Sequence, residues 1–291
     1  RGIEKQMLRT NHWTFEGQGW LAAGRYFGKY YDTPESAKWM QMADWCFGHQ
    51  MKSFKPQEDC GGYQYIILRH MGRYATSRQD FSWYDSGKAR MAGDLAIMCT
   101  DNLGYQASFG DVGGFNPGSH LAPLQMLATV DRDGRWAWAL ERSTKALYGN
   151  KPWNYPVHTK PVEPVDLLGV KCMPTDPLFY AHFIGKGTVP QERTFEKITF
   201  RSSFDPDRAY MLLDGISGCY HGHWDGNSIL RLTDRNRIWL ADSDYIKALP
   251  KYHNTMLVFK DGESSGLPTF CEREVVADLP SVGMTRTTLR D

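Results

Sequence analysis

The 291-residue chain lacks several features, and each absence narrows its class. It has no run of eighteen apolar residues, so no membrane-spanning helix is expected. Neither sign of charge dominates. The formal net charge is +1 and hydrophobic content is ordinary, which argues against both disorder and a nucleic-acid-scale basic field. The six cysteines (46, 60, 99, 172, 219 and 271) form no C-x-x-C pair, so a zinc ribbon or redox motif is not expected. Buried free thiols are the plainer expectation, with a disulfide or two left open. The glycine-bearing loop Ser108–Gly118 has no strand before it and no G-K-[ST] ending, which excludes a phosphate cradle. No Ser-His-Asp or Cys-His spacing suggests a nucleophile. No signal peptide is visible. The chain opens Arg1-Gly2 and closes Thr288-Leu289-Arg290-Asp291 without a start or stop pattern. It therefore reads as a fragment or processed chain, and the missing leader does not fix a location.

Aromatic residues are abundant, with ten Trp and fifteen Tyr. Such rings suit sugar faces, but they also build cores. Residues 1–150 read as helical. Thr33-Pro34-Glu35 is a helix start, and Trp39, Met40, Ala43, Phe47 and Met51 follow at three- and four-residue intervals. Further helices are expected over Tyr63–Tyr74, Phe81–Met98, Leu121–Val130 and Trp136–Leu147. Trp39, Trp83 and Trp136 each follow a short polar turn, a loose repeat of helical hairpins of roughly 40–50 residues. Stacked hairpins make either an open solenoid or a closed toroid. Asn11-His12-Trp13 and Glu58-Asp59-Cys60-Gly61-Gly62-Tyr63-Gln64-Tyr65 are expected as loops that precede helices.

Residues 151–192 are expected as a linker, because Pro152, Pro156, Pro161, Pro164, Pro174 and Pro177 forbid a continuous helix or a central strand. From 193 to 291 the period changes to two. Strands are expected at 195–201, 209–213, 228–233, 237–241 and 255–259, with a hairpin around Asp234-Arg235-Asn236 and a turn at Asp261-Gly262. An antiparallel sheet or sandwich follows.

The stretch Tyr220-His221-Gly222-His223-Trp224-Asp225-Gly226-Asn227 concentrates imidazole, carboxylate and glycine in what otherwise reads as strand. On a strand, His221 and His223 would share one face. With His253 and one carboxylate from Asp225, Asp242 or Asp244, the histidines offer a His₂-carboxylate set suited to zinc with one position open.

Four ordered blocks carry a resemblance. They are Lys197-Ile198-Thr199-Phe200-Arg201-Ser202-Ser203, His221-Gly222-His223-Trp224-Asp225-Gly226-Asn227-Ser228, Trp239-Leu240-Ala241-Asp242 and His253-Asn254-Thr255. With Asn11-His12 and Gly62-Tyr63, they resemble the heparinase II/III-like polysaccharide lyases over most of the chain. The resemblance implies an α/α toroid, incomplete here, followed by a truncated antiparallel β-sandwich domain. It implies β-elimination on a uronic-acid polysaccharide bound between the two. It further implies zinc at His223, Asp242 and His253, a substrate-facing His221, carboxylate neutralisation by Asn11 and His12, and proton transfer by Tyr63. Tyr65 is the fallback for Tyr63. Tyr245 or Tyr252 would supply a further tyrosine, and Trp224 lies in the substrate wall. A periplasmic or secreted location is implied, and a homodimer is left open.

These residue types fit the chemistry. Removing the C5 proton of a uronate places charge beside an existing carboxylate, so donors such as Asn11, His12 and His221 are needed to stabilise it. A tyrosine can act as base or acid if its neighbours tune it. The expected zinc would orient the strand wall rather than join the reaction. Alternatives are a uronate C5-epimerase on the same fold, a non-catalytic carbohydrate-binding protein, and a glycoside hydrolase on a helical toroid.

Overall fold

The computed structural model describes residues 10–112, 118–149, 151, 157–183, 189–242, 245–264 and 266–290. Asp244, Pro152, Pro156 and the 113–117 part of the glycine loop lie outside these residues.

Helices fill the first half. They are α1 (Asn11–Tyr30), α2 (Ser36–Gln50), α3 (Tyr63–Arg78), α4 (Ser82–Asp85), α5 (Lys88–Met98), α6 (Leu121–Val130) and α7 (Gly134–Tyr148). Asn11-His12-Trp13 is the first turn of α1 rather than a loop before it. The single helix expected over Phe81–Met98 is two, because Gly87 takes φ +76°, a left-handed conformation that ends α4 and starts α5. The repeating tryptophans differ in depth. Trp83 and Trp136 are buried in the helical core, while Trp39 is only half-buried.

The expected linker contributes structure. Within it, β1 (Gly169–Pro174) is the edge strand of a five-stranded antiparallel sheet ordered β1-β2-β3-β4-β5, and α8 (Pro177–Phe183) follows. The prolines do not prevent this: Pro164 precedes the strand, Pro174 ends it, and an edge strand needs its hydrogen bonds on one side only. The other strands are β2 (Phe195–Arg201), β3 (Tyr210–Asp214), β4 (Ile229–Asp234) and β5 (Arg237–Ala241). The β4–β5 turn has Arg235 at φ 50° and Asn236 at φ 57°, which matches the right-handed strand twist.

The strand expected over 255–259 survives only as a short hairpin, β6 (Phe259–Lys260) with β7 (Glu263–Ser264), turning at Asp261-Gly262. A longer unforeseen hairpin, β8 (Glu272–Leu279) with β9 (Val282–Thr288), closes the described chain.

The sheet is covered on both faces. Tyr210, Leu212, Leu230 and Met173 join one hydrophobic cluster with Phe47, Tyr65, Met98, Leu124 and Trp136 of the helices. The opposite face packs Val170, Ile198 and Leu213 with Val276 of β8. At about 25 cal/mol per Å² of buried apolar surface, this shared core fixes the helical layer to the sheet. Tyr210 adds a hydrogen bond from its hydroxyl to Met98 O at 2.6 Å. The fold is therefore mixed: eight helices and antiparallel sheets among the described residues.

Candidate active site

Three loops meet where the helical layer abuts the end of the sheet: 58–62 before α3, 108–112, and the 219–225 turn. Gly110, at φ +64°, sits between the carbonyl oxygens of Asp59 and His221. A Cβ there would lie 2.4 Å from each, so only glycine permits the approach. The backbone ties the loops together, with Asp59 N to Tyr220 O at 3.0 Å, Gly61 N to Phe109 O at 2.9 Å and Asp111 N to His221 O at 2.7 Å.

His221-Gly222-His223 is a turn and not a strand, and His221 has φ +49°. The alternation rule that would put both rings on one side does not apply. The turn separates them. The His221 side chain is 28 % exposed, while that of His223 is 2 % exposed.

His221 stands at the surface side. Its ring stacks on Tyr63, with centroids 3.9 Å apart and planes 21° apart. Its Nδ1 lies 2.6 Å from Oε2 of Glu58, which is fully buried. That hydrogen bond holds the imidazolium above its ordinary pKa, against the opposing effect of partial burial. Glu58 Oε1 accepts from the Asn11 backbone N–H at 2.9 Å, which brings the start of α1 to the same place. Asn11 is buried, its Oδ1 accepts from His12 N–H at 2.8 Å, and His12 is exposed.

Tyr63 is the first residue of α3. Its hydroxyl is hydrogen-bonded to that of Tyr245, and this bond first, with burial second, pushes its pKa up to about 12. Tyr65 is not at this surface. It is 1 % exposed and packs in the core with its ring 6.2 Å from that of His120, because two residues along a helix turn a side chain by about 200°. Burial raises its hydroxyl pKa well above the ordinary value. Its role as substitute for Tyr63, or as a substrate contact, is therefore withdrawn.

Tyr245 is half-exposed. The next residue, Ile246, donates its N–H to Asp111 Oδ1 at 3.1 Å, and the same oxygen lies 2.9 Å from His223 Nε2. Trp224 is partly exposed, lies over Gly218 and donates its backbone N–H to Ala248 O at 2.8 Å. Tyr252 is exposed, with Lys247 and Lys251 at 5.7 and 5.1 Å from its ring centre.

The buried side of the turn holds the candidate metal ligands. Ligand atoms of His223, Asp225 and His253 all lie within 4.8 Å of one another. The rings of His223 and His253 are 5.0 Å apart. His253 Nε2 and Asp225 Oδ1 are buried without a hydrogen-bond partner among the described residues. Asp225 is pushed well above the ordinary carboxylate range by burial and then by Asp214, Asp59 and Asp242. Asp242 has both oxygens engaged: Oδ1 faces His253 Nδ1 at 2.7 Å and Oδ2 accepts from Ser228 at 3.1 Å. Two imidazoles, a strained acid and two orphaned polar atoms are a donor set that a divalent cation would satisfy.

Glu58 and Asp111 were not singled out from sequence, although both lie in the glycine-bearing loops that were. Their signal is an acidic residue beside a glycine that permits close backbone approach.

No protein-family model matches the chain, and no curated protein matches it by sequence. Solved structures do share its fold. One is a heparinase III, at TM-score 0.63 and 10 % identity over 94 % of this chain and 42 % of that one. Another is the heparan sulfate lyase HepC from Pedobacter heparinus, at TM-score 0.55 and 15 % identity over 96 % of this chain and 41 % of that one. The chain thus spans about two fifths of the length of the structures it matches. At these identities the likeness is one of fold.

Proposed function

We propose that this chain carries the active site of a polysaccharide lyase that cleaves an acidic, uronic-acid-containing polymer by β-elimination. The observation that carries the reading is the meeting of Tyr63, Tyr245, His221, Asn11 and His12 from four separate stretches of chain in one partly exposed place. On this reading the helical layer is an arc of an α/α toroid, the strands are part of a sandwich domain, and substrate lies between them.

The chemistry divides among the residues as follows. His221, pinned at Nδ1 by Glu58, meets the uronate carboxylate through Nε2, and with the neighbouring Asn11 and His12 it stabilises the charge that develops when C5 loses its proton. Tyr63 keeps its own proton near neutral pH, which suits it to protonate the departing O4. Tyr245, hydrogen-bonded to Tyr63, takes the C5 proton and passes its own hydroxyl proton to Tyr63 as Tyr63 gives its proton to O4, so C5–H and C4–O break, the C4–C5 double bond forms and both tyrosines end protonated. Trp224 and Tyr252 offer faces to sugar rings, and Lys247 and Lys251 add positive charge beside Tyr252.

His223 and His253 would hold zinc with a carboxylate, Asp242 as the resemblance implies or Asp225 as the ligand grouping favours. Bound there, the ion would supply fixed positive charge that locks the strand-side wall carrying His221. A secreted or periplasmic location and a homodimer belong to the same reading.

The test is incubation with a panel of uronate polymers while following the ultraviolet absorbance of the new C4–C5 double bond. Tyr63→Phe is expected to lower turnover about 10²–10⁴-fold, the usual worth of a positioned proton donor, with polymer binding retained. Chain scission without new absorbance would indicate hydrolysis instead. Solvent deuterium at C5 without scission would indicate an epimerase.

A further inference from the structure

We propose that Glu58 is the positioning residue of this site, a clamp that joins the helical wall to the strand-side wall and fixes the ring and tautomer of His221. The proposal rests on the lyase reading for its kinetic consequence but not for its structural claim.

Glu58 is fully buried, and a buried carboxylate is tolerated only where hydrogen bonds compensate its lost hydration. Its two oxygens go to two different walls: Oε1 to the Asn11 N–H of α1, Oε2 to His221 Nδ1 of the 219–225 turn. Helix α1 needs this partner. Thr10 at its N-cap makes no side-chain cap, and the first turn contains no acid. A carboxylate reaching across 47 residues therefore satisfies a free N–H at the positive end of the helix dipole. His221 needs it as well. Its backbone is in the left-handed region inside a turn, so local chain geometry alone does not set the ring.

The clamp is itself rigid. The next residue, Asp59, is buried, bonded to Lys55 at 3.0 Å and Lys197 at 3.3 Å, and donates its N–H to Tyr220 O one residue before His221. Glu58 and His221 are thus carried on two strips of chain already tied together at their neighbours.

The chemical result is specific. An ionised carboxylate accepts but cannot donate, so it holds a proton on Nδ1 of His221. Nε2 is then the ring nitrogen left to meet a ligand, and stacking on Tyr63 fixes the plane in which it points. A carboxylate that orients a histidine and sets its tautomer in this way is a recurrent device in proton-transfer sites. Glu58 itself does not touch substrate.

The test compares Glu58→Gln and Glu58→Asp with the native chain. Glu58→Gln keeps size but can donate to Nδ1. Glu58→Asp keeps charge but is one methylene shorter. Ring ¹⁵N NMR of labelled histidine, with the His221 signal assigned by its loss in His221→Gln, reads the tautomer directly and needs no substrate. The native chain is expected to show the proton on Nδ1, and Glu58→Gln to show loss or redistribution of that signal. In turnover, Glu58→Gln is expected to lower kcat about 10²-fold, the scale of a misplaced catalytic group, with KM little changed, and Glu58→Asp to recover part of the loss. An unchanged His221 ring spectrum in folded Glu58→Gln overturns the proposal, as does equal activity of all three proteins. If the native chain turns over no uronate polymer, the lyase reading fails, and the ring spectrum still decides whether Glu58 sets His221.

Discussion

Two clusters of buried charge lie side by side beneath the 219–225 turn, and they are built on opposite principles. In the first, Lys55 and Lys197 are enclosed with Asp59, Glu196 and Asp214, all with side chains at most 1 % exposed. Lys197 reaches Asp214 at 2.8 Å, Asp59 at 3.3 Å and Glu196 at 3.3 Å, and Lys55 contacts Glu196 as well as Asp59. In the second, Asp225 and Asp242 lie with His223 and His253, and no lysine or arginine pairs with them among the described residues. The same burial therefore has opposite outcomes at Asp59 and Asp225, while Asp214, in the closed cluster, is pushed up to about 7 because burial outweighs its pairing with Lys197. Burial alone would raise Asp59, but Lys197 and Lys55 outweigh it and pull the carboxyl below its ordinary pKa. Burial raises Asp225, and its acidic neighbours raise it further. The first cluster carries its own counter-ions and joins loop 58–62 to β2 and β3. The second has no such counter-ion among the described residues, and under the proposed reading a bound cation would supply it.

The largest expected effect comes from breaking the closed cluster. Lys197→Met leaves Asp59 and Glu196 with Lys55 alone and Asp214 without its lysine partner. It should cost about 3–5 kcal/mol, the usual penalty for removing one partner of a buried ion pair. Urea denaturation midpoints at neutral pH measure it. A loss below about 1 kcal/mol would mean that water reaches the cluster and that the contrast with the second is overdrawn.

The open cluster should respond to metal instead. Zinc added to chelator-treated protein is expected to raise stability by about 2.7 kcal/mol at a free concentration one hundred times Kd. Elemental analysis of Asp225→Asn and Asp242→Asn then identifies the carboxylate ligand, since its loss abolishes stoichiometric zinc while loss of the other only weakens it. Zinc that leaves the midpoint unchanged would overturn the reading of the second cluster as a metal site.

The two clusters also differ in how visible they were from sequence. The second announces itself, because H-x-H with a later His-Asn-Thr is a local pattern with metal-ligand residue types. Lys55, Asp59, Glu196 and Asp214 carry no such mark; they are ordinary strand and loop charges whose partners lie up to 141 residues away. The same holds for Glu58 and Asp111, which reach His221 and His223 across 163 and 112 residues. Strands β2 to β5 were legible, since β2 alternates, the others are short apolar runs and Asp234-Arg235-Asn236 is a turn signal. Strand β1 was hidden by flanking prolines. The β8–β9 hairpin was hidden because its exposed face alternates with charge and its partner, the outer face of the sheet, is distant in sequence. His221 was misread because glycines inside an apolar run fit a strand pattern as readily as the turn they form.

The smallest effect sharpens the comparison through pH. Asp59, with its folded pKa depressed below the ordinary 3.8, binds its proton later in the folded chain than in the unfolded one. Its contribution to stability is fully present above 3.8 and is lost as pH falls through the lower folded value, because over that window the unfolded chain takes up more protons. One group of this kind adds a slope of at most about 1.4 kcal/mol per pH unit. Asp59→Asn removes the titrating group while keeping its shape. It should lower stability at neutral pH, where Lys55 and Lys197 lose a counter-charge, and flatten the fall in stability as the pH drops below 3.8. Urea midpoints from neutral pH to below that value, for both proteins, measure the two slopes. Parallel curves would show that Asp59 titrates alike in the folded and unfolded chains. The two lysines would then not compensate its burial, and the division into a closed and an open cluster would fail at its best-defined member.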